Sequence, residues 1–163
     1  GVLAGVVGCA QVTPEQQIVN DAAHALGGRE RVVKVKTIVV EGEGRQFNLG
    51  QDMRPDAADQ TFAVSGLTYR QDLTASRSRT ELTRTPNFAY FQGQAPQRQI
   101  QGVDGDIAYN VAPNGTVTRG PAAAANDRRA DLYHHPVSIV RAALSPGDSL
   151  ANPRNVGIRF NRV

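Results

Sequence analysis

Residues 98–119 decide the fold: Arg98-Gln99-Ile100-Gln101-Gly102-Val103-Asp104-Gly105-Asp106-Ile107-Ala108-Tyr109-Asn110-Val111-Ala112-Pro113-Asn114-Gly115-Thr116-Val117-Thr118-Arg119. Asp-Gly and Asn-Gly are dipeptides that favour the tight turns of β-hairpins. They sit between short segments of alternating character, with Ile107, Tyr109 and Val111 on one face and Ala108 and Asn110 on the other. Three antiparallel strands in a meander follow: Arg98 to Val103, Ile107 to Val111 and Thr116 to Arg119. Asp104 and Asp106 flank Gly105, and the turn accounts for both carboxylates without acid/base or calcium chemistry.

Working towards the N-terminus, the same pattern continues. Arg77 to Thr85, Gln60 to Leu73 and Arg45 to Asp52 read as further strands, with turns at Pro55 to Asp59 and at Thr74-Ala75-Ser76. Arg77, Arg79 and Glu81 fall on one face of their strand and Ser78, Thr80 and Leu82 on the other, so one face of that strand is wet. From Val32 the period is two, and the β-branched run Ile38-Val39-Val40 ends at Glu41-Gly42-Glu43-Gly44. That acidic glycine run is no phosphate loop, since no Lys-Ser/Thr follows it.

Upstream of the strands the period becomes helical. Thr13-Pro14-Glu15-Gln16 has Thr as N-cap, Pro at the first helical position and Gln at the third for a capping box. Ile18, Val19, Ala22, Ala23 and Leu26 recur at helical spacing until Gly27-Gly28 supplies a left-handed stop. On the C-terminal side, Ala122 to Leu132 reads as a helix, and Pro136 to Leu144 as a shorter one ended by Ser145-Pro146-Gly147. The expected class is α+β: a curved antiparallel sheet, a half-barrel, packed against an N-terminal helix and a helical insert.

The chain's 163 residues, 40% hydrophobic with 16 Gly and 9 Pro, suit one domain, and no stretch is long and apolar enough for a membrane helix. Its net charge of +3 comes from arginines scattered from Arg29 to Arg162 among acids, with Lys34 and Lys36 the lysines. A nucleic-acid surface would gather them into a stripe, so a nucleic-acid partner is not expected.

The run Gly1-Val2-Leu3-Ala4-Gly5-Val6-Val7-Gly8 is apolar and uncharged and leads to the single cysteine, Cys9. Val6-Val7-Gly8-Cys9 resembles the bacterial lipobox, which makes residues 1–9 the tail of a lipoprotein signal peptide and Cys9 the lipid-attachment residue. The resemblance implies a membrane partner through an N-terminal lipid anchor, and an exported, periplasmic or outer-membrane lipoprotein of a Gram-negative bacterium. Residues 10–163 are then one domain. Val156 to Val163 has strand character and no following turn, and the chain reads as cut at both ends.

Four strings carry a further resemblance: Val39 to Asp52 (Val-Val-Glu-Gly-Glu-Gly-Arg-Gln-Phe-Asn-Leu-Gly-Gln-Asp), Arg79 to Phe88, Gly102 to Val111, and Leu132-Tyr133-His134-His135-Pro136. From about Asp21 to Pro153 the chain resembles the N-terminal region of bacterial exported metallo-β-lactamase-fold hydrolases. The order of helix, long meander and helical insert also resembles the lipoprotein-carrier (LolA/LolB) fold, a curved sheet around helices with a lipid-binding cavity. The hydrolases' zinc string, His-x-His-x-Asp-His, is absent, the histidines being His24, His134 and His135. No cofactor is therefore expected in this chain, and zinc only in a downstream domain.

Adjacent histidines diverge in either a helix or a strand, so His134-His135 reads as a loop before Pro136, and His24 as a helical surface residue. Ser65-Gly66 and Ser138 lack the setting of a catalytic serine. Of the aromatics Phe47, Phe62, Tyr69, Phe88, Tyr90, Phe91 and Tyr109, most belong to the core. Phe47, Phe62, Tyr69 and Tyr109 are the candidates to line a hydrophobic-ligand cavity between sheet and helices, as in the carriers. Two functions remain open: a membrane-anchored accessory domain of a metallo-β-lactamase-fold hydrolase, or a non-enzymatic carrier-like module that holds an acyl chain or other hydrophobic ligand. A plain interaction lipoprotein is a third.

Overall fold

A computed structural model describes residues 12–48, 54, 57–88 and 95–145. Cys9 and the rest of the lipobox, the strand reading of Val156 to Val163, and the aromatics Tyr90 and Phe91 lie outside the described residues. In chain order the elements are α1 (Pro14–Ala25), α2 (Arg29–Lys34), β1 (Thr37–Phe47), β2 (Thr61–Asp72), β3 (Arg77–Pro86), β4 (Gln97–Asp104), β5 (Ile107–Val111), β6 (Val117–Arg119), α3 (Ala122–Asp131) and α4 (Pro136–Ala143). The class is α+β, with an antiparallel sheet that is curved and open. Among the described residues no helix is long and apolar enough to cross a membrane. Contacts divide the described residues into two compact units, one within 35–135 and one of residues 12–34 with 136–145.

The helical unit begins as its first residues dictate. The Thr13 Oγ1 accepts from the Gln16 N–H at 3.3 Å, and the Gln16 side chain accepts from the Thr13 N–H at 3.0 Å, closing the capping box. Gly27 and Gly28 both take positive φ, +99° and +106°, and the Gly28 N–H returns to the Ala23 carbonyl at 2.9 Å. The Gly28 carbonyl then accepts from both Arg31 and Val32 and starts α2 at once. Residues 32–34 are thus helical where the alternation from Val32 predicts a strand. Val32 explains the difference: 2% exposed, it joins Ala23 and Leu144 in a small core flanked by Val19, Val137 and Val140. Burial at that site outweighs the weak β preference of valine. The Arg141 guanidinium and the Arg29 guanidinium reach the Val33 and Leu144 carbonyls, tying α2 to α4.

The other unit is a six-stranded meander in the order β1-β2-β3-β4-β5-β6, every neighbour antiparallel. β2 to β6 fall within one or two residues of the predicted strands. The strand ending at Val40 and the separate one expected from Arg45 to Asp52 are a single strand, β1, which passes through Glu41-Gly42-Glu43-Gly44 from Thr37 to Phe47; residues 49–52 lie outside the described residues. Gly42 and residues 44–47 go on pairing with β2, so the ladder carries the two glycines through. The irregularity lies in the partner. Gly42 faces Leu67 and Gly44 faces Val64, while Ser65 faces Thr83 and Thr68 faces Glu81, so β2 holds one extra residue against both neighbours. Gly66, at φ +59°, occupies that bulge. A bulge bends its strand and steepens the twist, one source of sheet curvature.

Both hairpin dipeptides are turns, each displaced from its expected form. Asp104 pairs with Ile107, so the central residues are Gly105 and Asp106; only Gly105 has positive φ, the sign pattern of a II′ rather than a I′ turn. Between β5 and β6, Val111 pairs with Val117 and the loop is Ala112–Thr116, with Gly115 donating to the Ala112 carbonyl at 2.8 Å. Pro113 fixes the first turn position and Gly115, at φ +84°, takes the left-handed one.

Antiparallel partners share a face. The register therefore places Ile38, Val40, Gln71, Tyr69, Leu67, Val64, Phe62, Ser78, Leu82, Val103 and Ala108 on one face. α3 sits on that face over β4 and β5, fixed by Arg128, whose guanidinium bonds the side chains of Gln101 and Asn110. Under and beside it Val103, Ala108, Ala125 and Leu132 are all at most 5% exposed.

Candidate functional site

The four candidate lining residues divide evenly between the faces. Phe62 and Tyr69 lie on the α3 face; Phe47 and Tyr109 lie on the opposite one. Phe62 is 3% exposed, edge-on to Phe88 with ring centroids 5.1 Å apart, and carries the Arg84 guanidinium 4.3 Å above its ring. Tyr69 is half-buried and donates to Gln71 Oε1 at 3.3 Å, while Gln71 Nε2 donates to the Leu132 carbonyl at 2.8 Å. Burial pushes the Tyr69 phenol up from its ordinary value, a hydrogen bond with Ser78 partly offsets this, and the Asp131 charge adds to it. Beside these, Val64, Leu67 and Leu82 are half-buried on the same face and Val40 is 39% exposed. The result is an apolar row across the first three strands, with Thr80 and Arg84 on the same face of β3 and a hydrogen-bonded Tyr69–Gln71 pair at its α3 end.

The opposite face mixes charged side chains with exposed apolar ones, Val39, Phe47, Ile107 and Val117. A cleft of about 500 Å³ opens there, at the end of the sheet nearest the β2–β3 turn, lined by Thr37, Arg70, Asp72, Arg77, Arg79, Asp104 and Tyr109, with Gln71, Ser78 and Val103 beneath. Arg70 faces Arg79 directly across β2 and β3, Arg79 faces Gly102, and Gly102 faces Tyr109. The Tyr109 phenol lies over Gly102 so closely that a Cβ there would run into the phenol and into the Ser78 carbonyl oxygen, which makes glycine the fitting residue. Arg77 donates to Asp104 at 2.9 Å, and Asp72 accepts from the hydroxyl and N–H of Thr74 at 2.6 and 2.8 Å.

Two carboxylates on this face are held below their ordinary values. Hydrogen bonds from Thr74, with the Arg77 charge behind them, do this for Asp72; the Arg98 guanidinium, with Arg79, does it for Glu81. A depressed carboxyl contributes stability that is present above its unfolded-state value and disappears as pH falls through the folded one, so both act at neutral pH and fail in acid.

His134 Nδ1 lies 3.3 Å from Asp131 Oδ1 in the turn before Pro136, and His24 is exposed in the last turn of α1. Asp106 pairs with Arg129, and Asp104 with Arg77. Among the described residues no three His, Cys, Asp or Glu side chains gather as a metal site would require.

No family model, no curated protein and no solved structure matches the chain.

Sequence reasoning passes over the arginine cleft. It places Arg77 and Arg79 on one wet face, but Arg70 joins them through the β2–β3 register, and Tyr109 through β4–β5. The signal that finds the pair is the Thr74-Ala75-Ser76 turn, because closing it at Asp72 and Arg77 sets Arg70 opposite Arg79.

Proposed function

We propose that the chain is a non-catalytic, membrane-anchored binding module that takes up an acyl chain or another hydrophobic ligand along the α3 face of its sheet. The observation that carries this reading is the apolar row Val40, Val64, Leu67 and Leu82, closed at one end by Tyr69 and Gln71. Apolar side chains with a few placed polar groups suit an amphipathic ligand, the row covering the chain and the polar pair orienting its head. Phe62 is too deeply covered to touch a ligand and serves as the wall behind it. The resemblance to the carrier fold supports the same reading. The resemblance to exported hydrolases supports a place beside a zinc-dependent metallo-β-lactamase-fold domain, which this module would assist by presenting or holding substrate.

A fluorescent fatty acid titrated into the purified protein is expected to brighten saturably. Leu82→Asp, which puts a charge in the row, is expected to weaken uptake about tenfold or more, and Val39→Asp on the opposite face to leave it unchanged. Absence of uptake by a folded sample, or equal loss in both variants, overturns the reading. For the anchor, Cys9→Ser is expected to move the protein from the membrane fraction to the soluble one, since a serine accepts no thioether-linked lipid; unchanged partitioning refutes it.

A further inference from the structure

We propose that the cleft opposite the α3 face is a phosphate-recognition site, in which the guanidinium groups of Arg70 and Arg79 grip one phosphoryl group beside the Tyr109 hydroxyl. The placement is what argues for an anion. Arg70 and Arg79 are direct cross-strand partners, an arrangement that brings side chains within about 5 Å at Cβ and destabilises a sheet when the charges are alike. Arg79 has Glu81 at 3.6 Å, but Glu81 is already bonded by Arg98, and Arg70 has no acidic partner among the described residues. The cationic pair is therefore under-compensated where it lines the open cleft of about 500 Å³.

The neighbouring row deepens the contrast. There Arg77 stands between Asp72 and Asp104 and is bonded to Asp104, so its charge is matched locally while that of Arg70 is not. Tyr109, levelled over Gly102, gives the cleft a flat wall and an O–H donor in the same row as the arginine pair, and Arg119 follows Tyr109 on β6. Two guanidinium forks offer more donors than one carboxylate accepts, whereas a tetrahedral phosphoryl group presents oxygens to both. The cleft leaves room beside a phosphoryl group for the rest of a phosphate ester, reached either from solution or as a lipid headgroup. This site is independent of the hydrophobic ligand proposed for the other face.

The test is a titration of the 163-residue chain with inorganic phosphate at constant ionic strength, followed by NMR of the arginine Nε–H groups, and in parallel co-sedimentation with phosphatidylcholine vesicles with and without phosphatidic acid. Saturable shifts at Arg70 and Arg79, weakened about tenfold by Arg70→Gln or Arg79→Gln and unchanged in Arg45→Gln on the same face, establish a site for phosphate in solution. Binding to phosphatidic acid vesicles alone, lost in Arg70→Gln, assigns the headgroup. In phosphate-free buffer Arg70→Gln is expected to melt at the same temperature or higher, because it relieves a like-charge pair. No response to either probe, or a response that both Gln variants retain, overturns the proposal, and a melting temperature lowered in Arg70→Gln makes the arginine structural.

Discussion

Replacing Phe62 by alanine is expected to remove about 3–5 kcal/mol of stability, the range for emptying a buried phenylalanine site. The ring is 3% exposed and meets Phe88 edge-on at an interplanar angle of 81°, an arrangement that adds about 0.5–1.5 kcal/mol beyond area burial. The Arg84 guanidinium above the ring loses its π face in the same substitution. Phe62→Leu keeps most of the apolar volume, and its cost is expected to stay near 1.5 kcal/mol. Urea unfolding of the three proteins checks both numbers. A loss below about 1 kcal/mol for the alanine variant would show that this ring is not packed into the core, and would return it to the candidates for ligand contact.

Arg128→Ala is expected to cost about 2–4 kcal/mol, the scale of losing charge-assisted hydrogen bonds to partners that stay in place. Its guanidinium donates to the carbonyls of Gly102 at 2.9 Å and Tyr109 at 2.7 Å, and to the side chains of Gln101 at 3.1 Å and Asn110 at 2.8 Å. A single planar fork thus reads four acceptors on β4 and β5. Arg128→Lys, a point charge with three donors, is expected to recover less than half the loss. Chemical denaturation gives the magnitude, and amide hydrogen exchange in α3 gives the location: protection there should fall more than in β1 and β2. Equal loss of protection across the whole sheet would mean that the arginine does not specifically fasten the helix.

The fold was legible wherever a local signal closes on itself. The Thr13–Gln16 box, the paired glycines after α1, the turn residues 74–76 and the alternation through β3 and β5 each involve neighbours in sequence, and the structure repeats them nearly residue for residue. The helical state of residues 32–34 and the continuity of β1 were not legible. A valine that prefers strands becomes helical because Ala23 and Leu144 bury it, and a run of glycines stays in a ladder because the partner strand holds it.

Face assignment shows the division most sharply. Phe62 and Tyr69 are seven residues apart, so simple alternation sends them to opposite faces, and the extra residue at Gly66 brings them to the same one. Phe47 and Tyr109 go to the other face through the registers of β1 with β2 and of β4 with β3 and β5. Charge behaves alike: arginines dispersed along the chain carry no message there, yet hairpin closure at Asp72 and Arg77 sets Arg70 beside Arg79. By itself the sequence determined the class, the order of the meander and most element ends, since those rest on period, capping and turn chemistry within a few residues. The tertiary structure alone decided which side chains share a face, because one bulged residue inverts everything beyond it and register is a property of pairs of strands.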